Sequence, residues 1–280
     1  MHTFVEKIKD MKTILITGAS SGIGRETVIL FANKGWNVAA TMRNEEHFSQ
    51  FTNYKNIRNY LLDVKDPVSI EKAINQAIQD FGSIDVIVNN AGIYTTNPLE
   101  ETSAETINNI IETNIKGVIH STKTILKHFR ENKSGMIVNV SSIAGRVTFP
   151  FQSIYHTSKW AIEGFSESRY YELKPLKIKI KVVEPGMVKT NIYDSVLNFP
   201  FGQYPKEYRT RFERWHSYLM NNYKNGYSPR LDANTIFKAV NSNSSRLRYT
   251  SDLTTKMVLF LRSLIPLTIF QSTIKKQSNL

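Results

Sequence analysis

Residues 13–24 read TILITGASSGIG, a short apolar run that stops at a glycine-rich turn. The β-branched residues at 13–17 predict a buried β-strand. The apolar positions of Ile23–Asn33 recur with a helical period, and Lys34-Gly35 supplies a helix C-terminal signal. The stretch therefore predicts a strand, a tight turn and a helix in direct succession.

Strand-like and helical patterns alternate along the rest of the first two-thirds of the chain. The predicted strands are Asn37–Thr41, Ile57–Asp63, Ile84–Asn89, Gly135–Ser141 and Ile178–Glu184. The predicted helices between them are Pro67–Asp80, Ser103–Arg130 and Ser153–Leu173, and Asp66 precedes Pro67 as a capping residue. Such alternation predicts an α/β fold of the Rossmann type, a doubly wound parallel sheet with helices on both faces.

The pattern changes after Pro185-Gly186. Asn191–Pro229 is rich in aromatic residues without a clear period, and Asp232–Val240 has a helical pattern. We expect a last strand at Arg246–Tyr249 and a final helix at Lys256–Ile274, kinked near Pro266. The chain is interpreted as a single domain over residues 1–280, with a core at residues 12–190 and a loop and helical extension at residues 191–280.

Composition excludes several classes of protein. The 280 residues are 41% hydrophobic and 21% charged, as in an ordinary globular protein. The absence of cysteine excludes disulfides, thiolate metal sites and cysteine nucleophiles, and it favours an intracellular, cytoplasmic protein. We assign no metal ligands. The start of the chain shows no secretory signal, and Arg262 and Pro266 interrupt the longest apolar run, so no transmembrane helix is predicted.

The net charge of +12 is unevenly distributed. Residues 195–280 hold 13 basic and 4 acidic side chains, whereas the rest of the chain is near neutral. This argues against a nucleic-acid-binding protein built around the main domain. It leaves open an anionic ligand or a membrane surface near the C-terminal part.

The glycine-rich turn predicts a dinucleotide-binding site. Gly18, Gly22 and Gly24 allow the backbone to approach a pyrophosphate, and the following helix presents free N–H groups. An NAD site usually has an acidic residue at the end of the second strand, but the sequence here is Ala40-Thr41-Met42-Arg43. Arg43 suits a 2′-phosphate, so NADP(H) is favoured and NAD(H) remains the alternative.

Further motifs follow in register. They are NNAG at residues 89–92, NIKG from Asn114, VSSIAG at residues 140–145, YHTSK at residues 155–159 and PGMVKT at residues 185–190. Together with the glycine-rich turn, they make the chain resemble the short-chain dehydrogenase/reductase family over roughly residues 12–190.

The spacing of Tyr155 and Lys159 places both on one helix face. A lysine cation near a phenol favours the phenolate, so we expect a lowered pKa for Tyr155. A serine hydroxyl can orient a carbonyl oxygen, and the resemblance assigns this role to Ser142, with Ser141 as the alternative. The resemblance also implies that Tyr155 is the general acid or base, that Lys159 holds the nicotinamide ribose, and that Asn114 completes a proton relay through water.

The resemblance implies a cofactor-binding set around these residues. Asp63 and Val64 would lie near the adenine, Thr190 near the carboxamide, and the other members along the phosphates, riboses and nicotinamide. The full set is Gly18, Ser20, Ser21, Gly22, Ile23, Gly24, Arg43, Asp63, Val64, Asn90, Ala91, Gly92, Tyr155, Lys159, Pro185, Gly186, Val188 and Thr190.

The substrate is expected to be a small carbonyl compound or alcohol of lipophilic character, because Gly145–Ile154 and Asn191–Pro229 are rich in aromatic residues. The alternative for these residues is a lid packed on its own core. For the final helix we favour packing over the pocket or at a subunit interface above contact with a membrane surface. The resemblance implies a homodimer or homotetramer. An NAD-dependent alcohol dehydrogenase and a non-catalytic NADP(H)-binding regulatory protein are the competing functions.

Overall fold

The computed structural model describes residues 11–194 and 204–278. In these ranges seven parallel strands form one sheet in the order β3-β2-β1-β4-β5-β6-β7. The strands are β1 (Thr13–Ile16), β2 (Asn37–Met42), β3 (Ile57–Leu61), β4 (Val86–Asn89), β5 (Gly135–Val140), β6 (Ile178–Glu184) and β7 (Arg248–Thr250). The predicted doubly wound parallel sheet is confirmed, and its order reverses direction between β1 and β4.

The α-helices of the described residues are numbered in chain order. They are α1 (Gly22–Asn33), α2 (Pro67–Phe81), α3 (Ala104–Ile110), α4 (Gly117–Glu131), α5 (Ser153–Leu173), α6 (Lys206–Lys224), α7 (Arg230–Val240), α8 (Leu253–Leu264) and α9 (Leu267–Gln277). Short 3-10 turns lie at Glu45–Phe51, Leu99–Glu101, Ile143–Gly145, Lys174–Leu176 and Asn191–Tyr193.

The central strands alternate between two apolar layers. Ile14 and Ile16 of β1 pack with α1 and α7, whereas Leu15 packs with α2 and α4 on the other face. Side chains point to opposite faces at successive strand positions, and both faces are covered, so the strands read as continuous apolar runs. This explains why the sequence has no polar alternation in TILI or VIVN.

Local signals fix the ends of two helices. The Asp66 side chain accepts a hydrogen bond from the Val68 amide at 2.9 Å, and Pro67 occupies the first helical position of α2. Gly35, which follows α1, has a φ of +80°, a conformation that favours glycine. Both predicted signals are confirmed.

The prediction of one continuous helix over Ser103–Arg130 is wrong in one respect. It is interrupted by a π-helical turn at Ile111–Lys116, which joins α3 to α4. Asn114 lies in this turn, and its side chain bonds to the backbone of Ile93 on another segment. Such turns are rare and usually mark a functional site, because they re-aim side chains.

The extension differs from the prediction at two places. Residues 206–224, for which no regular structure was expected, form α6, which buries Phe212, Trp215, His216 and Leu219 at helical spacing. The predicted kinked helix Lys256–Ile274 is two helices, α8 and α9, which are separated at Ile265 and Pro266. Pro266 removes a backbone donor and restricts Ile265 to an extended conformation, which ends α8.

None of the helices in the described ranges is both long enough and apolar enough to cross a membrane.

Two positions on α2 test the packing of this layer. Ile74 is 1% exposed and Val68 is 72% exposed. We expect Ile74→Ala to lower the free energy of unfolding by about 2–5 kcal/mol, because it leaves a cavity against the sheet. Val68→Ala, the matched control on the same helix, should change it by less than about 0.5 kcal/mol. Urea unfolding of both variants makes the comparison, and equal effects would contradict the described packing.

Candidate active site

A cavity of about 520 Å³ opens at the carboxyl edge of the sheet. Its walls come from the segments that follow each of the strands β1 to β6, so the fold itself converges on this place. In doubly wound sheets, ligands bind at this edge, where the strand order reverses.

Nearly all sequence-predicted site residues line this one cavity. Gly24 and Asn114 are the exceptions. The residues brought together are Gly18, Ser20, Ser21, Gly22, Ile23, Arg43, Asp63, Val64, Asn90, Ala91, Gly92, Ser142, Tyr155, Lys159, Pro185, Gly186, Val188 and Thr190.

The glycine-rich turn is joined to the loop after β4 by reciprocal hydrogen bonds. The Thr17 hydroxyl accepts from the Asn90 and Ala91 amides at 3.0 and 3.1 Å. The Asn90 side chain donates to the Thr17 and Gly18 carbonyls at 2.9 and 3.1 Å. A Cβ at Gly24 would lie 2.2 Å from the Gly18 oxygen, so this position needs glycine for close packing although it does not face the cavity.

The turn forms a cradle that side chains would fill. Gly18 and Gly22 have φ values of +68° and +54°, in the region that favours glycine. A Cβ at Gly18 would meet the Ala91 backbone at 2.8 Å, and one at Gly22 would meet the Thr190 methyl at 3.0 Å. The first turn of α1 has no side-chain cap at Ser21 and no acidic residue, so its N–H groups and positive dipole end face the cavity. These features fit the pyrophosphate of a dinucleotide.

Arg43 follows β2 directly and is exposed on the cavity wall. The carboxylate among the lining residues is Asp63, whose Oδ1 accepts from the Lys65 amide at 3.0 Å within its own turn. Arg43 therefore supplies a cation to the wall of the cavity that the glycine-rich turn also lines.

Tyr155 and Lys159 lie on one face of α5, beside Ser142 at the end of β5. The Lys159 Nζ lies 5.8 Å from the centre of the Tyr155 ring and donates to the Val140 carbonyl at 3.1 Å. The Ser142 Oγ accepts from the Ala144 amide at 3.1 Å, which leaves its hydroxyl proton to donate. Ser141 also lines the cavity, and its buried Oγ has no partner among the described residues.

The pKa of Tyr155 differs from the expectation of a lowered value. Burial raises the pKa of Tyr155 to about 12, and hydrogen bonding to Ser142 acts in the opposite direction. Burial lowers the pKa of Lys159 to about 8, against the attraction of Glu163. Both side chains are buried, and desolvation disfavours the charged form of each, so it is the largest cause of both shifts.

Asn114 links the π-helical turn to α5, the helix that carries Tyr155 and Lys159. Its Oδ1 accepts from the Ile93 amide at 2.9 Å, and its Nδ2 donates to the Ile93 carbonyl at 2.9 Å and to Ser158 at 3.0 Å. The Ser158 hydroxyl donates to the Tyr155 carbonyl at 2.7 Å. The Asn114 side chain therefore fixes the loop after β4 against the helix that carries Tyr155.

His156, which the sequence analysis did not single out, joins two loops of the site. Its Nδ1–H donates to the Ala144 carbonyl, and its Nε2 accepts from the Phe149 amide, both at 2.8 Å. This pair of partners requires the neutral ring with the proton on Nδ1. Burial lowers the pKa of His156 accordingly. Its position next to Tyr155 in the sequence was the signal that could have identified His156 as a residue of the site.

An aromatic wall covers Tyr155 on the substrate side. The Tyr94 ring packs edge-on against Tyr155 at 4.8 Å and against Tyr193 at 4.9 Å, and Tyr193 contacts Tyr223 at 5.0 Å. Ile93 and Ile192 add apolar lining. Tyr94 was missed because it follows a recognised motif without belonging to it.

Most aromatic residues of the predicted substrate loop do not face the cavity. Tyr204, Phe212 and Trp215 are buried in a cluster with Tyr94 and Tyr155. This agrees with the alternative interpretation, in which these aromatic residues form a lid that packs on its own core. Trp215 donates to Thr96 at 3.1 Å, which ties α6 to the loop after β4. Phe199 and Phe201 lie outside the described residues.

Other lining residues were also missed by the sequence analysis. Each is adjacent in sequence to a predicted site residue, and that was the signal available. They are Met42, Leu62, Thr113, Val140 and Asn191, whereas Tyr193 of the aromatic wall belongs to the predicted substrate loop.

The His156 contacts predict a pH dependence of stability. Because the pKa of His156 is lowered in the folded state, its contribution is complete above the ordinary value of 6.5 and is lost as the pH falls below it. In His156→Gln the amide group replaces both hydrogen bonds without titrating. We expect urea unfolding between pH 8 and pH 5 to show a smaller loss of stability for the variant than for the parent chain. Identical profiles would contradict the assignment.

Comparisons with known proteins place this chain in the same class as its site geometry does. The family model described as short chain dehydrogenase matches residues 12–198. The uncharacterized oxidoreductase YusZ of Bacillus subtilis is 35% identical over 95% of this chain and 98% of its own length. The 3-ketodihydrosphingosine reductase of Bacteroides thetaiotaomicron is 34% identical over 81% of this chain and 82% of its own.

A solved structure shows the same likeness in three dimensions. ElxO, solved with NADP bound, is 30% identical, with a TM-score of 0.72 over 88% of this chain and 99% of its own. The family match covers well over half of the chain, and the oxidoreductase relatives extend over most of it. The chain therefore belongs to the short-chain dehydrogenase/reductase family and is an oxidoreductase enzyme.

Proposed function

We propose that this enzyme is an NADP(H)-dependent reductase that interconverts a lipophilic carbonyl compound and its secondary alcohol. The observation that carries the proposal is that Tyr155, Lys159 and Ser142 line the same cavity as the glycine cradle and Arg43. A proton donor, a cation and a hydroxyl donor thus lie within one continuous site with the cofactor-binding surface.

In this proposal Tyr155 is the general acid in reduction and the general base in oxidation. With a pKa raised to about 12 by burial, the phenol is protonated at neutral pH and can give its proton to the carbonyl oxygen. The Ser142 hydroxyl, which accepts from the Ala144 amide and is hydrogen-bonded to Tyr155, orients that oxygen when a substrate is bound. The nearby Lys159 cation then stabilises the phenolate that remains.

The residues of the cavity fit a nicotinamide dinucleotide. A bound nicotinamide supplies the hydride in reduction and accepts it in oxidation. We assign the pyrophosphate to the cradle of Gly18 and Gly22, and the nicotinamide end to Pro185–Thr190. Asp63 and Val64, which line the same cavity, are assigned to the adenine.

NADP(H) is proposed over NAD(H) because of the charge at the end of β2. Arg43 occupies the position where a 2′-phosphate would be bound, and neither Ala40, Thr41 nor Met42 provides a carboxylate for a ribose hydroxyl. The similarity to ElxO, solved with NADP bound, supports the same choice.

Asn114 is proposed as a positioning residue. Both of its amide hydrogens are used, on Ile93 and Ser158, and its oxygen accepts from Ile93. Its side chain thereby holds Tyr155 at the cavity wall, and a relay through water would use atoms other than this amide group.

A lipophilic substrate is supported by the apolar lining next to Tyr155. Ile93, Tyr94, Ile192 and Tyr193 form that part of the wall. The similarity to a 3-ketodihydrosphingosine reductase points to a long-chain ketone as one member of this class. We propose that the whole chain acts as one domain, since β7 pairs with β6 and the aromatic ring of Phe237 in α7 packs on Phe31 in α1.

Replacing Tyr155 tests the proposed reaction. NADPH oxidation at 340 nm would be followed with a long-chain 3-ketone, a steroid ketone, retinal, an acyl-dihydroxyacetone phosphate and small aldehydes. Tyr155→Phe should lower turnover at least about a hundredfold, because the proton donor is removed, while NADPH binding is retained.

Tyr171→Phe is the matched control, since Tyr171 lies on the same helix and is 69% exposed. It should leave turnover unchanged. Turnover that survives in Tyr155→Phe would contradict the mechanism, and silence of the parent chain across the panel with NADPH still bound would favour a regulatory role.

Replacing Arg43 tests the proposed cofactor. Arg43→Gln should weaken NADPH binding about tenfold, because one charge-assisted hydrogen-bond partner of the phosphate is lost, and should leave NADH binding unchanged. Arg130→Gln, an exposed arginine near the end of α4, is the control. Fluorescence titration of both cofactors measures the effect. Equal losses for NADPH and NADH would remove the assignment of Arg43 to the 2′-phosphate.

A further inference from the structure

The two C-terminal helices carry an apolar face that no described residue covers. Of the 15 large apolar side chains that are exposed in the described part of the chain, seven lie between residues 253 and 269. We call these seven the C-terminal apolar face. They are Leu253, Met257, Phe260, Leu261, Leu264, Leu267 and Ile269.

The spacing of these residues makes a continuous stripe on α8. Leu253, Met257, Phe260 and Leu264 follow at intervals of four, three and four residues, and each residue turns a helix by ~100°. Leu253, Phe260 and Leu264 are 74%, 60% and 64% exposed. Four large side chains therefore project in nearly the same direction, away from the protein.

The opposite side of the same helices packs inward. Leu259 and Phe270 are buried with Val147, and this cluster includes Phe149 at its edge. The helices thus already have a core-facing side, as the sequence analysis expected. The C-terminal apolar face is a second apolar surface in addition to it.

The charged residues of α8 and α9 themselves have one sign. Residues 253–278 contain Lys256, Arg262, Lys275 and Lys276 and no aspartate or glutamate. Arg262 lies over the Phe270 ring at 5.6 Å, whereas the three lysines are exposed. Apolar side chains flanked by cations are complementary to a surface that is apolar beneath an anionic layer.

The charge of these helices argues against a second copy of the chain as the occupant. A symmetric pair of these faces would bring the cations of α8 and α9 near one another, and neither helix carries a carboxylate to compensate. We propose that the C-terminal apolar face docks on the surface of an anionic lipid bilayer, with α8 and α9 lying along the surface.

The docking surface is tied rigidly to the active site. Asp252 caps α8 by accepting from the Thr255 amide at 2.8 Å. The Thr255 hydroxyl lies 2.2 Å from where a Cβ of Gly186 would be, and Gly186 lines the catalytic cavity. Phe149, at the edge of the α8–α9 core, also packs in the cluster around Tyr155. Docking would therefore hold the cavity at the membrane surface, where a lipophilic substrate is concentrated.

Vesicle sedimentation with the full chain tests the proposal without requiring turnover. The vesicles are phosphatidylcholine alone or phosphatidylcholine mixed with phosphatidylserine. We expect binding to the mixed vesicles that weakens as salt is added. The double variant Phe260→Ser with Leu264→Ser should lose this binding. Lys275→Gln with Lys276→Gln should weaken it by about fivefold for each cation removed.

Matched controls use exposed residues elsewhere. Val68→Ser with Leu99→Ser removes apolar groups of similar exposure, and Lys123→Gln with Lys127→Gln removes two exposed lysines of α4. Both control variants should bind like the parent chain. NADPH binding shows that each variant is folded.

Three results would overturn the proposal. One is the absence of binding to the mixed vesicles, and another is equal binding by the Phe260 and Leu264 variant and its control. The third is a shift of that variant from dimer to monomer in sedimentation velocity without vesicles, which would assign the face to a second copy. Because these readouts are independent of catalysis, failure of the proposed reaction is distinguishable from failure of the docking surface.

Discussion

The junction between Thr17 and Asn90 is the constraint on which the site depends. Four hydrogen bonds join the ends of β1 and β4 at the point where the strand order reverses. They hold the glycine-rich turn against the loop after β4, so the cradle has its shape before any ligand arrives. Gly24 permits this contact because a side chain there would collide with the Gly18 carbonyl. Preorganisation of this kind reduces the ordering that binding would otherwise require.

A second set of hydrogen bonds positions Tyr155 and Ser142, the side chains proposed for catalysis. Ile93 continues the loop that starts at Asn90, and Asn114 clamps its backbone and reaches Ser158 on α5. His156, on the same helix, fixes Ala144 beyond Ser142. Tyr155 and Ser142 are thus positioned from two directions by buried polar groups, which are rigid because breaking their hydrogen bonds would leave donors unsatisfied.

The sequence predicted the parallel sheet and most of the cavity lining because both depend on local patterns. Glycines and the Tyr155–Lys159 spacing lie within single turns or helices, so their placement follows from short-range geometry. It did not predict the π-helical turn, which depends on the contact of Asn114 with Ile93, 21 residues away. It missed α6 because aromatic and charged residues around all sides of that helix obscure the buried Phe212, Trp215 and Leu219. The raised pKa of Tyr155 could not be predicted from the sequence, because it depends on the burial of this ring, against which Tyr94 packs.

Burial also connects the packing of α6 to the pKa of Tyr155. The same desolvation raises the pKa of Tyr155 and lowers that of Lys159, so two pKa values that are ordinarily similar move apart and both neutral forms are favoured. Tyr94 packs directly on Tyr155, and the cluster that holds Tyr94 is completed by Phe212 and Trp215 of α6. The helix α6 therefore contributes, through this cluster, to the burial that makes the phenol hold its proton strongly. A change in the packing of α6 would alter the proton affinity of Tyr155 through Tyr94, although α6 lies outside the cavity lining.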